Sequence, residues 1–149
     1  MNIVEQIKDA MELRIVAVLP STFSELKYKL KVEDNHFEEN SKKFGVRPLE
    51  ANSVPGVTQS ITLDQEFEII LTDNYINLDI SDEEQRIKTF NLYDRLDTIY
   101  TDLINTKAGI PLIVLNIPSL TISQPEYLED DNVVALRAQI LIKYRRSLT

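Results

Sequence analysis

The chain has 149 residues, the usual size of one domain, and at that length folding removes roughly two thirds of the extended chain's surface from water. Apolar residues make up 43% and charged residues 27%, a balance that supports one hydrophobic core and excludes a disordered chain. The absence of cysteine excludes a disulfide-held secreted scaffold, a thiolate metal site and a cysteine nucleophile, and a net charge of -8 repels free nucleic acid, whose phosphates need a concentrated basic surface.

The opening residues Met1-Asn2-Ile3-Val4-Glu5-Gln6 carry no basic n-region, and charges recur too soon for a signal peptide or a spanning helix. A cytosolic protein with no membrane contact is therefore expected. Ile3, Val4, Ile7, Ala10 and Met11 fall three or four apart and predict a helix with one apolar face. The apolar run Ile15, Val16, Val18 and Leu19 is compatible with helix or strand; helix is favoured, stopped by Pro20.

Residues 26–33 alternate strictly, so Leu26, Tyr28, Leu30 and Val32 share one face of a predicted strand. Lysines at 27, 29 and 31 cover the other face and discourage pairing with stray edges. From Asp34 to about residue 58 two of the three glycines and two prolines break any long periodicity, which predicts an extended loop. Loops of that length are often functional or ordered against a partner, so this one is the first candidate for an interface, with an irregular surface excursion as the alternative.

A second strand begins at Ser60, with Ile61, Leu63, Phe67, Ile69 and Leu71 toward the core and Thr62, Asp64, Glu66 and Glu68 toward water. Thr72-Asp73-Asn74 reads as the turn that ends it. Ser81-Asp82-Glu83-Glu84 matches a capping box, and its acids suit the positive end of a helix dipole. The stripe Leu92, Leu96, Ile99 and Leu103, widened by Phe90, Tyr93, Tyr100 and Ile104, predicts a long amphipathic helix that Gly109 and Pro111 terminate.

The remainder reads as a hairpin: an apolar arm from Leu112 to Gln124 broken at Pro118, an acidic tip from Pro125 to Asn132, and a returning arm from Val133 to Arg145. Even positions Val134 to Tyr144 point to the core, while Arg137, Gln139, Lys143 and Arg145 face water or a neighbour. The whole, residues 1–149, is expected to be a single α+β domain. It places the N-terminal helix and the long helix on one face of a sheet of about four strands, antiparallel with mixed pairing as the alternative.

Catalytic machinery is not legible. The one histidine, His36, sits in a polar stretch and reads as a solvated loop residue, and lone carboxylates around it are weak support for a metal. Acidic runs at 38–39, 82–84 and 129–131 lack the spacing and central glycine of a calcium loop. Gly45, Gly56 and Gly109 stand too far apart to cradle a phosphate. Paired carboxylates for glycoside hydrolysis have no positive support. No enzyme activity, cofactor or metal is therefore expected. The basic positions Lys42, Lys43 and Arg47, with Lys143, Arg145 and Arg146 near the C-terminus, read either as a solvated face or as partners for the acidic runs of a neighbouring copy in a head-to-tail ring.

Three blocks carry a family likeness: 42–48 (Lys42 to Pro48), Val57-Thr58 with the 62–73 strand, and the closing strand from Val134 to Arg145. Together they resemble phage tail terminator proteins, particularly those of contractile-tailed phages, over most of the chain after about Tyr28. The resemblance implies a virion protein of the head-proximal tail end, assembled in the host cytoplasm as a homo-oligomeric, typically hexameric, ring. Such a ring stops tail tube polymerisation, meets tail tube, sheath and neck or head-completion proteins, and passes DNA through its lumen without specific binding. An acidic lumen suits that passage. By position, Phe44, Gly45, Val46 and Arg47 in the loop and Arg137, Lys143 and Arg145 on the last strand are nominated as subunit interface. The alternatives are another head-tail joining or baseplate protein, or a monomeric binding module with its ligand between loop and sheet.

Overall fold

In the computed structural model, which describes residues 2–25, 42–51, 62–74, 82–128 and 133–145, two helices lie on one face of a β-sheet. Helix α1, Ile3–Val18, begins where the Asn2 side chain accepts from the Glu5 amide at 2.8 Å, which satisfies one of the amides that a helix start leaves without a partner. It ends at Leu19, whose extended backbone precedes Pro20. Ile7, Met11 and Ile15, one helical turn apart, are its buried stripe.

The strands are β1 (Ser24–Glu25), β2 (Lys43–Ala51), β3 (Thr62–Asn74), β4 (Val114–Ile122), β5 (Glu126–Leu128) and β6 (Val133–Arg145), and helix α2 is Asp82–Thr106. In space the order is β1-β2-β3-β6-β4, with β5 following β4 along the same edge of β6. Among the described strands only β1 pairs in parallel; every other ladder is antiparallel. The expected α+β architecture is present, with more strands than the sequence reading assigned.

At the centre, β3 and β6 run side by side for 13 residues each, from Thr62 opposite Arg145 to Asn74 opposite Val133, with no register shift. Directly opposite residues share a face, so Leu63, Phe67, Ile69 and Leu71 stand with Tyr144, Ile140, Ala138 and Leu136 on the helix side. Phe44 and Val46 of β2 extend this face, and the α1 stripe and Leu92, Leu96, Ile99 and Leu103 of α2 close over it. Gln65, also on this side and buried, donates from Nε2 to the carbonyls of Leu49 at 2.7 Å and Glu66 at 2.8 Å, which removes the penalty of an unpaired buried amide.

Five expectations about the elements need correction. Residues 43–51, read as part of the 34–58 loop, form β2; their alternation is short and interrupted by Pro48, and it is pairing with β3 that holds them extended. Among the described residues β1 pairs only with Lys43 and Phe44, so no described strand requires an N–H from Pro48 on that side, and a shift in register follows it. Thr72-Asp73-Asn74 is the end of β3 and not a turn. Its polar atoms are engaged there: the Thr72 hydroxyl accepts from the Lys43 amide at 3.1 Å and Asp73 from the Asn74 amide at 2.8 Å.

The water-facing half of β3 is shorter than expected, since from Phe67 onward both faces are buried, Glu68 included. Phe90 and Ile104 do not widen the α2 core stripe: they are 56% and 45% exposed on the far side of the helix. The acidic hairpin tip is also shorter, because Glu126–Leu128 pairs with β6 as β5. The strand expected over 26–33, His36, the remaining loop residues and Ser81 of the capping box lie outside the described residues.

Among the described strands β4 is an edge. Its register slips between Val114 and Asn116 and again between Asn116 and Ser119, around Pro118, so the break that the sequence suggested is present as an irregular edge that resists addition of another strand.

The two helices are tied by Arg14, whose Nε and Nη2 donate to Asp102 at 2.9 and 2.6 Å. After α2 the chain turns through Lys107, Ala108 and Gly109, all with positive φ. At Gly109 (φ +77) an added Cβ would stand 3.3 Å from the Arg14 Cδ, so glycine both relieves the backbone and leaves room for the arginine stem. Hydrogen bonding to Asp102, then its charge, holds the Arg14 guanidinium above its ordinary pKa. A raised cation is lost only as pH climbs through that raised value, so on the arginine side the pair is constant through neutral pH.

Replacing Leu96 by alanine is expected to lower unfolding free energy by about 2–5 kcal/mol in urea titration, the loss of a fully buried leucine. Arg14→Lys keeps the charge and loses the two-pronged contact; thermal melts should show a lower midpoint, by the same amount at about pH 6 and about pH 8.

Candidate assembly interface

Because both helices pack on one side of the sheet, the register of β2, β3 and β6 decides what the opposite face displays. Residues that alternate with the core positions are Gly45 and Arg47 on β2, Asp64, Glu66 and Glu68 on β3, and Arg137, Gln139, Leu141, Lys143 and Arg145 on β6. Of the seven residues nominated from sequence, five therefore share this face: Gly45, Arg47, Arg137, Lys143 and Arg145. Phe44 and Val46 do not. They are 3% and 2% exposed, inside the core under α1 and α2, so a partner has no access to them.

The basic side chains are brought opposite acids that the sequence reading left as water-facing residues. Arg47 stands across from Glu68 with Nε 3.2 Å from Oε1, and Glu68 is buried. Arg137 Nε lies 3.1 Å from Glu126 Oε1 on β5, an ion pair whose N–H is not aligned as a hydrogen bond. Lys143 is opposite Asp64, and Arg145 is opposite Thr62. Positive and negative positions thus alternate across strands instead of separating into one basic field, which is unfavourable for phosphate backbones and suited to a surface with complementary charge.

Exposure is graded along this face. Toward the Thr62 and Arg145 end, Gln139 and Arg145 are exposed and Asp64, Glu66, Leu141 and Lys143 half-buried, with Asn116, Ser119 and Thr121 of β4 exposed beside them. Toward the other end Ile70, Thr72, Val133 and Ala135 are buried. The accessible patch is therefore the end formed by the start of β3 and the finish of β6.

Two hollows on the helix side went unnoticed in sequence. One, of about 500 Å³ and mostly apolar, lies between the start of α1 (Ile3, Val4) and Pro48 and Tyr144. A second, of about 200 Å³, is polar and lies between α2 (Lys88 to Arg95), the end of β3 (Asp73) and the segment that follows α1 (Pro20 to Phe23). Neither has a linear signal, because each is lined by residues far apart in the chain. Among the described residues no group of three or more His, Asp or Glu is placed to hold a metal ion, and no described helix is long and apolar enough to cross a membrane.

The class of protein that these features define is an α+β domain with helices on one side of its sheet and an open, mixed-charge patch on the other. No protein-family model matches the chain, and a search of curated proteins finds no match.

A double-mutant cycle on Arg47→Met and Glu68→Gln is expected to give a coupling of about 1–2 kcal/mol in denaturant titration, the range for contacting partly buried charges. Additive losses would mean that the cross-strand pair contributes nothing beyond its separate residues.

Proposed function

We propose that this chain is a structural subunit of a ring, six-fold by resemblance, that caps a phage tail tube, stops its polymerisation and joins the tail to neck or head-completion proteins. The observation that carries the reading is the mixed-charge patch at Lys143 and Arg145, left open because both helices pack on the other side. The sequence resemblance supplies the identity of the assembly. A ring requires two different surfaces on each subunit, so that the mixed-charge patch on one copy meets a surface of complementary charge on the next. Exposed charge pairs each contribute little, yet they steer encounter and fix register, and closure makes each contact reinforce the others.

In this reading the subunit performs no bond chemistry. The tail tube and, beside it, the sheath and neck proteins are its partners, it resides at the head-proximal end of the tail, and it needs no cofactor. The net charge of -8 would let DNA pass a lumen without adhering. A second reading, a monomeric binding module, is favoured by the apolar hollow of about 500 Å³ beside Ile3, Val4 and Tyr144, a volume within the roughly 300–1,000 Å³ of small-ligand sites.

Light scattering of the purified protein is expected to give a whole multiple of the chain mass, and negative-stain images should show rings with a central hole. Lys143→Glu with Arg145→Glu should shift that mass toward one chain while circular dichroism stays unchanged. A strict monomer that purified tail tubes do not recruit to one end would sink the ring in favour of the binding module.

A further inference from the structure

The polar hollow between α2, the end of β3 and the segment that follows α1 has an unusual charge balance for this protein. Among the described residues, Lys42, Lys88 and Arg95 line it together with a single acid, Asp73, so that described lining is positive in a chain of net charge -8. Asp73 is buried at 5% exposure, accepts from the Asn74 amide, and stands 3.8 Å from the Lys88 Nζ. Among the described residues its one ion-pair partner is Lys88. Among the described residues neither Lys42 nor Arg95 enters an ion pair, which leaves two cations, Lys42 half-buried and Arg95 exposed, lining one hollow without a counter-charge.

The remaining walls narrow the chemistry of an occupant. Pro20, Phe23 and Leu92 form an apolar side, and Asn91 adds an amide. A volume of about 200 Å³ is below the roughly 300–1,000 Å³ of small-molecule pockets, so a nucleotide or a drug-sized ligand is too large and one side chain is not. The guanidinium fork of Arg95 matches the two oxygens of a carboxylate. Asp73 opposes a doubly charged phosphate more than a singly charged carboxylate, since repulsion scales with the product of the charges. An aliphatic stem can lie along Phe23 and Leu92.

We propose that this pocket recognises a carboxylate presented by a partner protein, the side chain of a glutamate or aspartate. The proposal does not depend on the ring: the pocket is built within one chain, and a monomer would carry it equally.

The test uses the full chain labelled with ¹⁵N and titrated with a capped Gly-Glu-Gly peptide, with its Gly-Gln-Gly counterpart and, separately, with inorganic phosphate. The glutamate peptide is expected to give saturable shifts at the Asn91 and Leu92 amides, weakening as salt is raised, while the glutamine peptide gives none. Arg95→Gln and Lys42→Gln should each weaken binding about tenfold, the scale of one charge-assisted hydrogen bond. Arg86→Gln, which removes the same charge from an exposed position outside the pocket, should leave it unchanged. Equal weakening by Arg86→Gln, or the absence of saturable shifts, overturns the site. Saturation by phosphate in place of the glutamate peptide overturns its assignment to a protein carboxylate.

Discussion

The ladder between β3 and β6 pairs two strands of 13 residues without a bulge, and most of the molecule follows from that register. In an antiparallel pair, directly opposite residues project to the same side, so one alignment decides two surfaces at once. Phe67 beside Ile140 and Leu71 beside Leu136 make the floor on which α1 and α2 rest. Asp64 beside Lys143 falls on the opposite side by the same alignment. A slip of one residue would exchange the two sets and put carboxylates under the helices, a change that burial of charge forbids.

The helix layer is held to the sheet by apolar burial and to itself by one polar clamp. Arg14 reaches from α1 to Asp102 on α2, and the left-handed turn at Gly109 packs against the arginine stem. Elsewhere α2 meets the hairpin through hydroxyls, Tyr100 donating to the Ile117 carbonyl at 3.3 Å and Thr89 lying 3.0 Å from the Tyr127 hydroxyl. Such contacts add direction to non-directional burial. They also place Lys88 and Arg95 over the end of β3, where Asp73 sits.

One consequence for function is a division of labour between the faces. Stability is concentrated on the helix side, where the large side chains are buried, and substitutions there act on the fold. The opposite patch contains half-buried Asp64 and Lys143, exposed Arg145 and polar edge residues of β4, and exposed charges of this kind individually contribute little to stability. A surface of that kind can specify a neighbour without being needed for folding.

Read alone, the sequence determined the elements whose apolar period is long and clean. α1 announces itself by Ile7, Met11 and Ile15, α2 by Leu92, Leu96, Ile99 and Leu103, and β6 by the even positions from Val134 to Tyr144. The α+β class and the antiparallel sheet follow from their order. What it left undecided are features that exist only through pairing. β2 has little strand signal of its own around Pro48, and Thr72-Asp73-Asn74 has the composition of a turn; both are strand because β3 offers one a partner and β6 offers the other. The same applies to the interface residues. Linear spacing grouped Phe44, Val46 and Arg47, whereas alternation sends the first two into the core and the third to the charged face. Residues adjacent in sequence are opposed in a strand, and residues distant in sequence become neighbours across it, so the composition of a face is a property of register and was decided only by the tertiary structure.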